Sequence, residues 1–270
     1  MAERPLPAGV CIHDLLETCS GMFYDYIMFR KVVKNMDTPM RTGSSDNGVL
    51  QCATVSDEIF RLLHYRILSG FYKRGQHLSE VQLATELNIS RSPIREAFIQ
   101  LENTGLVKIV KRKGVFVFDF TEADVHEIAE MRLLVELHIM KVLIEENRIN
   151  DRALERLESI VRDMKNLQTS LALNDTELNY QESRLDFMFH LAIAELAERP
   201  SFYDLVKRTL TRSRAIIGLS NAQPDTGQVL EDHIQLIEAL RQKDEEQAQK
   251  IVRRHLRWML REEPGSHHTV

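Results

Sequence analysis

The hydrophobic positions of the chain first follow a regular period after residue 54. They recur at intervals of three and four, as on one face of a helix, and the period stops at Gly70. The positions concerned are Val55, Ile59, Leu62, Leu63, Ile67 and Leu68. We therefore predict an amphipathic helix that begins near residue 55 and ends before Gly70.

Two shorter helices and a hairpin are predicted next. One helix covers 79–87 and the other about 92–103, with Pro93 in its first turn, where a missing N–H is harmless. Apolar runs at 107–110 and 115–118 predict two strands on either side of a basic tip. This order of elements is the winged helix-turn-helix arrangement.

Only helical periods follow Phe120. The pattern predicts six helices, at about 121–146, 150–173, 176–197, 200–219, 228–241 and 244–261. Short loops between consecutive helices favour an antiparallel bundle. The predicted fold class is therefore mainly α, with an N-terminal winged helix-turn-helix followed by a C-terminal six-helix antiparallel bundle.

These patterns divide the chain into four segments. They are an extension (1–53), a winged helix-turn-helix domain (54–118), a helical domain (119–262) and a tail (263–270). The extension has no clear period and ends in a linker-like run of small and polar residues. We predict that it is disordered, or that translation starts at Met36 or Met40, which mass spectrometry of the native N-terminus would decide.

The composition indicates a globular protein of the cytoplasm. It is 43% hydrophobic and 28% charged, and charges interrupt the apolar runs well before the ~20 residues that cross a bilayer. The three cysteines are Cys11, Cys19 and Cys52, which match no zinc spacing and suit a reducing compartment. We expect no membrane association.

The net charge of −5 is unevenly distributed along the chain. Residues 54–118 carry ten Lys/Arg against six Asp/Glu, whereas residues 119–270 carry twenty against twenty-eight. A basic segment joined to an acidic one suggests a polyanionic partner for the first. Four net positive charges could equally be a solvated face.

The third helix and the hairpin tip carry groups suited to double-stranded DNA. The second helix of a helix-turn-helix lies in the major groove with its first residues facing base edges. Arginines four residues apart can bind guanine there, serine hydroxyls can bind phosphate, and a basic tip can follow the backbone. The predicted contacts are Ser90, Arg91, Ser92, Arg95, Lys111, Arg112, Lys113 and Gly114. The alternative is an ordinary surface helix and a solvated hairpin.

One aspartate and three histidines of the predicted bundle form a candidate metal site. Asp186 and His190 stand at i and i+4, so that both side chains project from one helix face. His233 and His255 fall among apolar residues of two later helices. Each histidine by itself could be a satisfied core residue; together the four groups would suit zinc first, and nickel or manganese as alternatives.

Residues 55–118 resemble the DNA-binding domain of the GntR family of regulators. The resemblance is carried by LSEVQLA at 78–84, SRSPIREA at 90–97 and LENTGLV at 101–107. Arg74-Gly75 departs from the Pro-Gly that the family usually has before the second helix. The resemblance implies the same DNA contacts at Arg91, Arg95 and the hairpin tip.

Residues 121–262 resemble the FCD ligand-binding domain of the FadR-type branch of that family. The matching pieces are MRLLVE at 131–136, DFMFH at 186–190, EDH at 231–233 and RHL at 254–256. Six helices resemble the smaller, VanR-like subgroup. In metal-containing members, residues at these positions ligate a divalent cation, which implies the ligands Asp186, His190, His233 and His255.

Two arginines are candidates for binding an organic acid. Arg132 lies in the first bundle helix, where it could pair with a carboxylate near the metal. Alternatively, it forms an ion pair with Glu136, four residues later. Arg214, in the fourth bundle helix, is a weaker candidate for the same role.

Together these features predict a transcriptional repressor rather than an enzyme. A homodimer would place two reading helices on a palindromic operator, and a small organic acid at the metal site would change their separation. A metal-dependent hydrolase is the main alternative. A regulator whose metal is purely structural is another.

Overall fold

The computed structural model describes residues 54–169, 173–220 and 224–260. The predictions for the extension and its three cysteines, and for the tail, lie outside these residues. Among the helices that are described, none is long and apolar enough to cross a membrane.

Three helices of the N-terminal unit (residues 54–120) form where the hydrophobic period predicts them. They are α1 (Val55–Leu68), α2 (Glu80–Glu86) and α3 (Arg91–Thr104). Thr54 and Asp57 form a capping box at the start of α1, each side chain accepting a hydrogen bond from the other's backbone N–H. Gly105 ends α3 in the left-handed region, at φ 78°, which glycine adopts without strain.

A small antiparallel sheet combines the two strands after α3 with a strand before α2 that the sequence pattern does not predict. Its strands are β1 (His77–Leu78), β2 (Val107–Val110) and β3 (Gly114–Val117), in the order β1-β3-β2. Val107 pairs with Val117, and His77 pairs with Phe116. A strand of two residues is too short to show alternation, so only its pairing with β3 reveals it.

The core of the N-terminal unit lies between α1 and α3. Side chains of both helices are no more than 2% exposed there; they are Ile59, Leu62, Leu63, Ile67, Ile94, Phe98 and Leu101. The hydrophobic face predicted for α1 is therefore the face that is buried.

The rest of the described chain is a helical bundle (residues 121–260) with six long helices and one short one. They are α4 (Glu122–Glu145), α5 (Asp151–Gln168), α6 (Asp175–Leu196), α7 (Pro200–Leu219), α8 (Thr226–Gln242), α9 (Glu245–His255) and α10 (Arg257–Leu260). The mainly α fold class is confirmed. Two helix ends differ from the prediction, at α5 and at α9.

The prediction that the second bundle helix continues to Leu173 was wrong. It ends at Gln168, and the Thr169 hydroxyl donates to the Asn166 carbonyl at 2.9 Å. The apolar residues that follow extended the hydrophobic period beyond the helix. The predicted last helix is interrupted at Leu256, which separates α9 from the four-residue α10.

The N-terminal unit packs on α6 and α7 of the bundle. Ala215 of α7 belongs to the same hydrophobic core as α1 and α3. A Cβ added to Gly218 would lie 2.0 Å from the Leu68 carbonyl oxygen, so this contact requires a glycine. The two backbones therefore approach closely where α1 crosses α7.

Candidate metal centre and DNA interface

The bundle brings together the four residues that the sequence singled out as metal ligands. Helix α6 carries Asp186 and His190, α8 carries His233 and α9 carries His255. One ligand atom from each of the four lies within 4.8 Å of all the others. The three imidazoles are no more than 6% exposed, so the cluster is almost closed to water.

The distances within this cluster fit a divalent cation. Asp186 Oδ1 lies 3.3–3.5 Å from the Nε2 atoms of the three histidines. His190 Nε2 lies 3.0 Å from His255 Nε2 and 3.3 Å from His233 Nε2. Metal–nitrogen bonds of ~2.0–2.1 Å in a tetrahedral site put the ligand atoms roughly 3.3 Å apart. Lone pairs and a carboxylate oxygen at this spacing repel one another unless a proton on one of the nitrogens, or a metal ion between them, offsets the repulsion.

The donor types also suit a transition metal. Imidazole nitrogen favours zinc and nickel, and carboxylate oxygen is a ligand for manganese as well. Asp186 Oδ1 is buried and accepts no hydrogen bond from the described part of the chain. A metal ion would satisfy this oxygen.

A buried carboxylate lies against the second nitrogen of one of the imidazoles. Glu136 Oε2 lies 2.7 Å from His190 Nδ1, whereas Asp232 Oδ2 is 3.7 Å from His255 Nδ1, too far for a hydrogen bond. A carboxylate on Nδ1 fixes the tautomer and leaves Nε2 free for a metal. His233 differs, because its Nδ1 faces the Met164 sulfur at 3.3 Å.

The protonation of the histidines follows from these neighbours. Burial lowers the pKa of His233 to about 4, which leaves it neutral, as a metal ligand must be. Burial acts in the same direction on His190, but Glu136 and Asp186 outweigh it and raise its pKa to about 9. The metal-free cluster therefore holds a proton on His190 at neutral pH, and a metal ion must displace that proton.

A cavity opens beside the cluster and shares two of its residues. Its floor includes Asp186, His255 and the guanidinium of Arg132. Arg132 is 2% exposed, and its Nε donates to Glu136 Oε1 at 2.8 Å. Its Nη2 is buried without a hydrogen-bond partner among residues whose positions are described. The Arg132–Glu136 ion pair thus forms, and it still leaves a donor unused beside the cavity.

Arg214 is near enough to Asp186 for their charges to interact, but its main contacts are aromatic. Its guanidinium carbon is 5.2 Å from the ring centre of Tyr180 and 5.4 Å from that of Phe187. It is not among the residues found to line the cavity. The side chain contacts the region where α6 and α7 meet the N-terminal unit.

The predicted DNA contacts lie on one exposed region of the N-terminal unit. Arg91 and Arg95 are exposed in the first turns of α3. The Arg95 guanidinium donates to both carboxylate oxygens of Glu80, at 2.8 and 3.2 Å. Ser90 precedes α3 as its N-cap. Its hydroxyl oxygen accepts no hydrogen bond from a backbone N–H of the helix. Its hydroxyl is therefore not engaged in capping α3.

The basic tip between β2 and β3 is a tight turn. Lys111, Arg112 and Lys113 are all exposed. Arg112 has φ 65° and Gly114 has φ 108°. The backbone angle of Gly114 favours glycine, whereas a Cβ there would only require the exposed His77 ring, 2.4 Å away, to move.

Sequence reasoning missed several residues that complete the site. Asp232 immediately precedes His233, and Glu136 was considered only as a partner of Arg132. Tyr65 of α1 donates to Glu177 Oε2 of α6 at 3.0 Å, across 112 positions in the chain. No local pattern indicates such a pair, although the adjacency of Asp232 to His233 could have been noticed.

Two protein-family models match the chain. Residues 55–117 match the model described as bacterial regulatory proteins, gntR family, and residues 127–257 match the FCD domain. The gluconate operon transcriptional repressor of Bacillus licheniformis is 30% identical over 190 residues, which are 67% of this chain and 74% of that protein. An uncharacterized HTH-type regulator of Bacillus subtilis, YdhC, is 29% identical over 73% of this chain and 86% of its own length.

Solved structures share the fold. Escherichia coli McbR/YncC superposes with a TM-score of 0.63 at 18% sequence identity, covering 78% of this chain and 97% of that one. A GntR-type regulator from Rhodococcus sp. RHA1 superposes with a TM-score of 0.61 at 23% identity, covering 79% and 99%.

Proposed function

The chain belongs to the gntR family of bacterial regulatory proteins and carries an FCD domain, and from this premise we propose that it is a DNA-binding repressor whose operator affinity changes when a small carboxylate binds at a metal centre. The proteins of this family are transcriptional regulators, not enzymes. They bind DNA and effector ligands, commonly as dimers. Repression, the metal and the carboxylate are the parts that we add.

The observation that carries the proposal is the cavity floor. A four-residue cluster with the spacing of a metal shell lies beside a buried arginine with an unused donor. A carboxylate oxygen can bind a metal ion, and a guanidinium can donate to the other oxygen. We assign the metal to Asp186, His190, His233 and His255, and a carboxylate contact to Arg132. Arg214 stays the weaker candidate for the same role, because its Nε and Nη2 are also buried without a hydrogen-bond partner among the described residues but it is not part of the cavity lining.

The N-terminal unit supplies the DNA contacts in this proposal. Arg91 and Arg95 would contact base edges in the major groove, while Ser90 and Ser92 bind phosphates at the helix N-terminus. Lys111, Arg112, Lys113 and Gly114 would follow the DNA backbone or the minor groove. A homodimer would present two such surfaces to a palindromic operator.

The packing of the two units supports a route from effector to DNA. Helix α6 carries two metal ligands, and its first turns contact α1 through Glu177 and Tyr180. A ligand that moves α6 therefore also moves the helix that supports α3. A coupling free energy of typically ~1–3 kcal/mol is enough to regulate operator binding.

Elemental analysis beside DNA binding tests the proposal. The operator is first selected from a random duplex library with the purified protein. We expect about one metal ion per chain, lost in His190→Ala/His233→Ala and kept in His138→Ala, an exposed histidine outside the cluster. Full metal loading of the double variant would contradict the metal assignment. Operator affinity that no carboxylate alters in the metal-loaded protein would contradict effector sensing.

A further inference from the structure

The cavity beside the metal centre has an apolar part in its lining. Five side chains from four helices form this part: Met164 of α5, Ile217 of α7, Val229 and Leu230 of α8, and Trp258 of α10. Each is partly or fully buried. Gln168, Asn179, Ser183 and Thr226 also line the cavity, which therefore offers contact surface for carbon as well as polar partners.

The cavity has one positively charged side chain in its described lining, Arg132. The acidic residue of the wall is Glu182, which makes a side-chain hydrogen bond with Thr226 and whose pKa is raised by burial. A ligand with one carboxylate at the floor meets Arg132 and the metal centre. A second carboxylate would have no cation to meet and would approach Glu182.

The charges near the floor disfavour a ligand with several carboxylates. Asp186, Glu136 and Asp232 supply three negative charges, and Arg132 and Arg254 supply two positive ones, with Arg254 Nη2 lying 2.6 Å from Asp232. Glu182 adds a further acidic group to the lining. A second or third ligand carboxylate would therefore leave negative charge buried, which is costly.

We propose that the effector is a monocarboxylic acid with an apolar body, aromatic or branched aliphatic, whose carboxylate binds at the Arg132 end and whose body packs between Leu230 and Trp258. Dicarboxylic acids are then poor ligands. This inference rests on the proposed function, because it specifies the ligand of the same cavity.

Calorimetric titration of the metal-loaded protein with four acids tests this assignment. The probes are phenylacetate, acetate, succinate and gluconate. Acetate reports the carboxylate site alone, since it has no body to fill the cavity. We expect phenylacetate to bind at least about tenfold more tightly than acetate, because burying its ring removes apolar surface from water. Succinate should bind no more tightly than acetate, and gluconate should bind less tightly than phenylacetate.

A near-isosteric variant separates the wall from the floor. Leu230→Asn keeps the size of the side chain and makes the wall polar. We expect it to weaken phenylacetate about tenfold and to leave acetate unchanged, with circular dichroism and metal content as checks of the fold. The matched control is Leu134→Asn, at a residue that is 72% exposed on α4.

The outcomes distinguish this inference from the proposed function. Gluconate or succinate binding more tightly than phenylacetate would overturn the apolar-body assignment and leave carboxylate sensing intact. A metal-loaded protein that binds none of the four acids would overturn both. Equal weakening of acetate and phenylacetate in Leu230→Asn would show that the substitution acts on the floor, and would also overturn the assignment.

Discussion

Single residues around the metal cluster determine how its ligands are presented. His190 lies between Glu136 on Nδ1 and Asp186 near Nε2, and both carboxylates are buried. Although burial alone would raise the pKa of Glu136, Arg132 and His190 hold it below its usual range. Glu136 is therefore a charged group that orients a ligand and balances Arg132 at the same time.

Replacing Glu136 should weaken metal binding. In Glu136→Gln the amide cannot hold the imidazole as a carboxylate does, and Arg132 loses its counter-charge. Removal of such a partner typically costs roughly 10–100-fold in metal affinity. Competition with a chelator of known affinity measures the change. Glu130→Gln, an exposed residue on the same helix, is the control, and an unchanged affinity in Glu136→Gln would contradict the role given to this residue.

His64 should make the protein less stable in mild acid. Burial, followed by the charge of Arg214, lowers the pKa of His64 to about 3 in the folded protein, against 6.5 for a free histidine side chain. Between these values the unfolded chain binds the proton more readily, so stability is complete above pH 6.5 and declines as the pH falls towards 3.

The comparison of wild type with His64→Gln isolates this effect from the carboxylates. Near pH 5.5 the wild type should lose about 1 kcal/mol relative to its own value at pH 7.5, beyond any loss in the variant. Urea unfolding at several pH values measures both proteins. Parallel stability curves for the two would show that His64 stays neutral for another reason, or is hydrated.

At the scale of elements, α3 and the β2–β3 hairpin have different tasks on DNA. Helix α3 begins with exposed arginines, while the hairpin tip concentrates charge on a turn that glycine makes possible. Base-edge contacts select a sequence, whereas phosphate contacts add affinity for any sequence. In the free protein the Arg95 guanidinium is paired with Glu80, so contact with a base would replace that ion pair.

Substitutions in α3 and in the hairpin should therefore differ in kind. Arg91→Ala should cost roughly 1–3 kcal/mol on the operator and relax its sequence preference. Lys113→Ala should weaken operator and unrelated DNA alike, and reduce the slope of log affinity against log salt by about 1. Fluorescence anisotropy at several salt concentrations measures both. Identical behaviour of the two variants would argue against the separate roles.

At the scale of the whole molecule, the basic and acidic parts of the chain are joined by a packed contact. Helix α1 meets α7 at the close approach of Gly70 and Gly218, and it meets α6 through Tyr65. The Tyr65 and Tyr180 rings stack edge to face with centres 4.8 Å apart, and Arg214 lies over Tyr180. These contacts connect the metal-bearing helix with the N-terminal unit.

Removing one hydroxyl from this contact should weaken the coupling more than the fold. In Tyr65→Phe the ring packing remains, but Glu177 Oε2 loses its donor, at a cost of about 1 kcal/mol. We expect the effector-induced change in operator affinity to shrink, while operator affinity without effector stays within about twofold. Tyr203→Phe, at the opposite end of α7, is the control. An undiminished response to effector would exclude this contact from the route.

The sequence alone determined much of this protein, because its strongest signals are local. Helix periods, a capping residue such as Thr54 and the turn chemistry of Gly105 depend only on near neighbours. The mainly α class and the family resemblance were therefore predicted correctly. The i, i+4 spacing of Asp186 and His190 also placed two candidate ligands on one face before any tertiary contact was known.

Only the tertiary structure decided what surrounds these ligands. The short strand β1 exists because β3 lies beside it. Glu136 beside His190 and Tyr65 beside Glu177 are contacts between helices far apart in the chain. The physical reason is that periodicity records which face of a helix is buried. It does not record which side chains of other helices contact that face. The cavity, its apolar side chains and Arg132 are brought together by those contacts between helices.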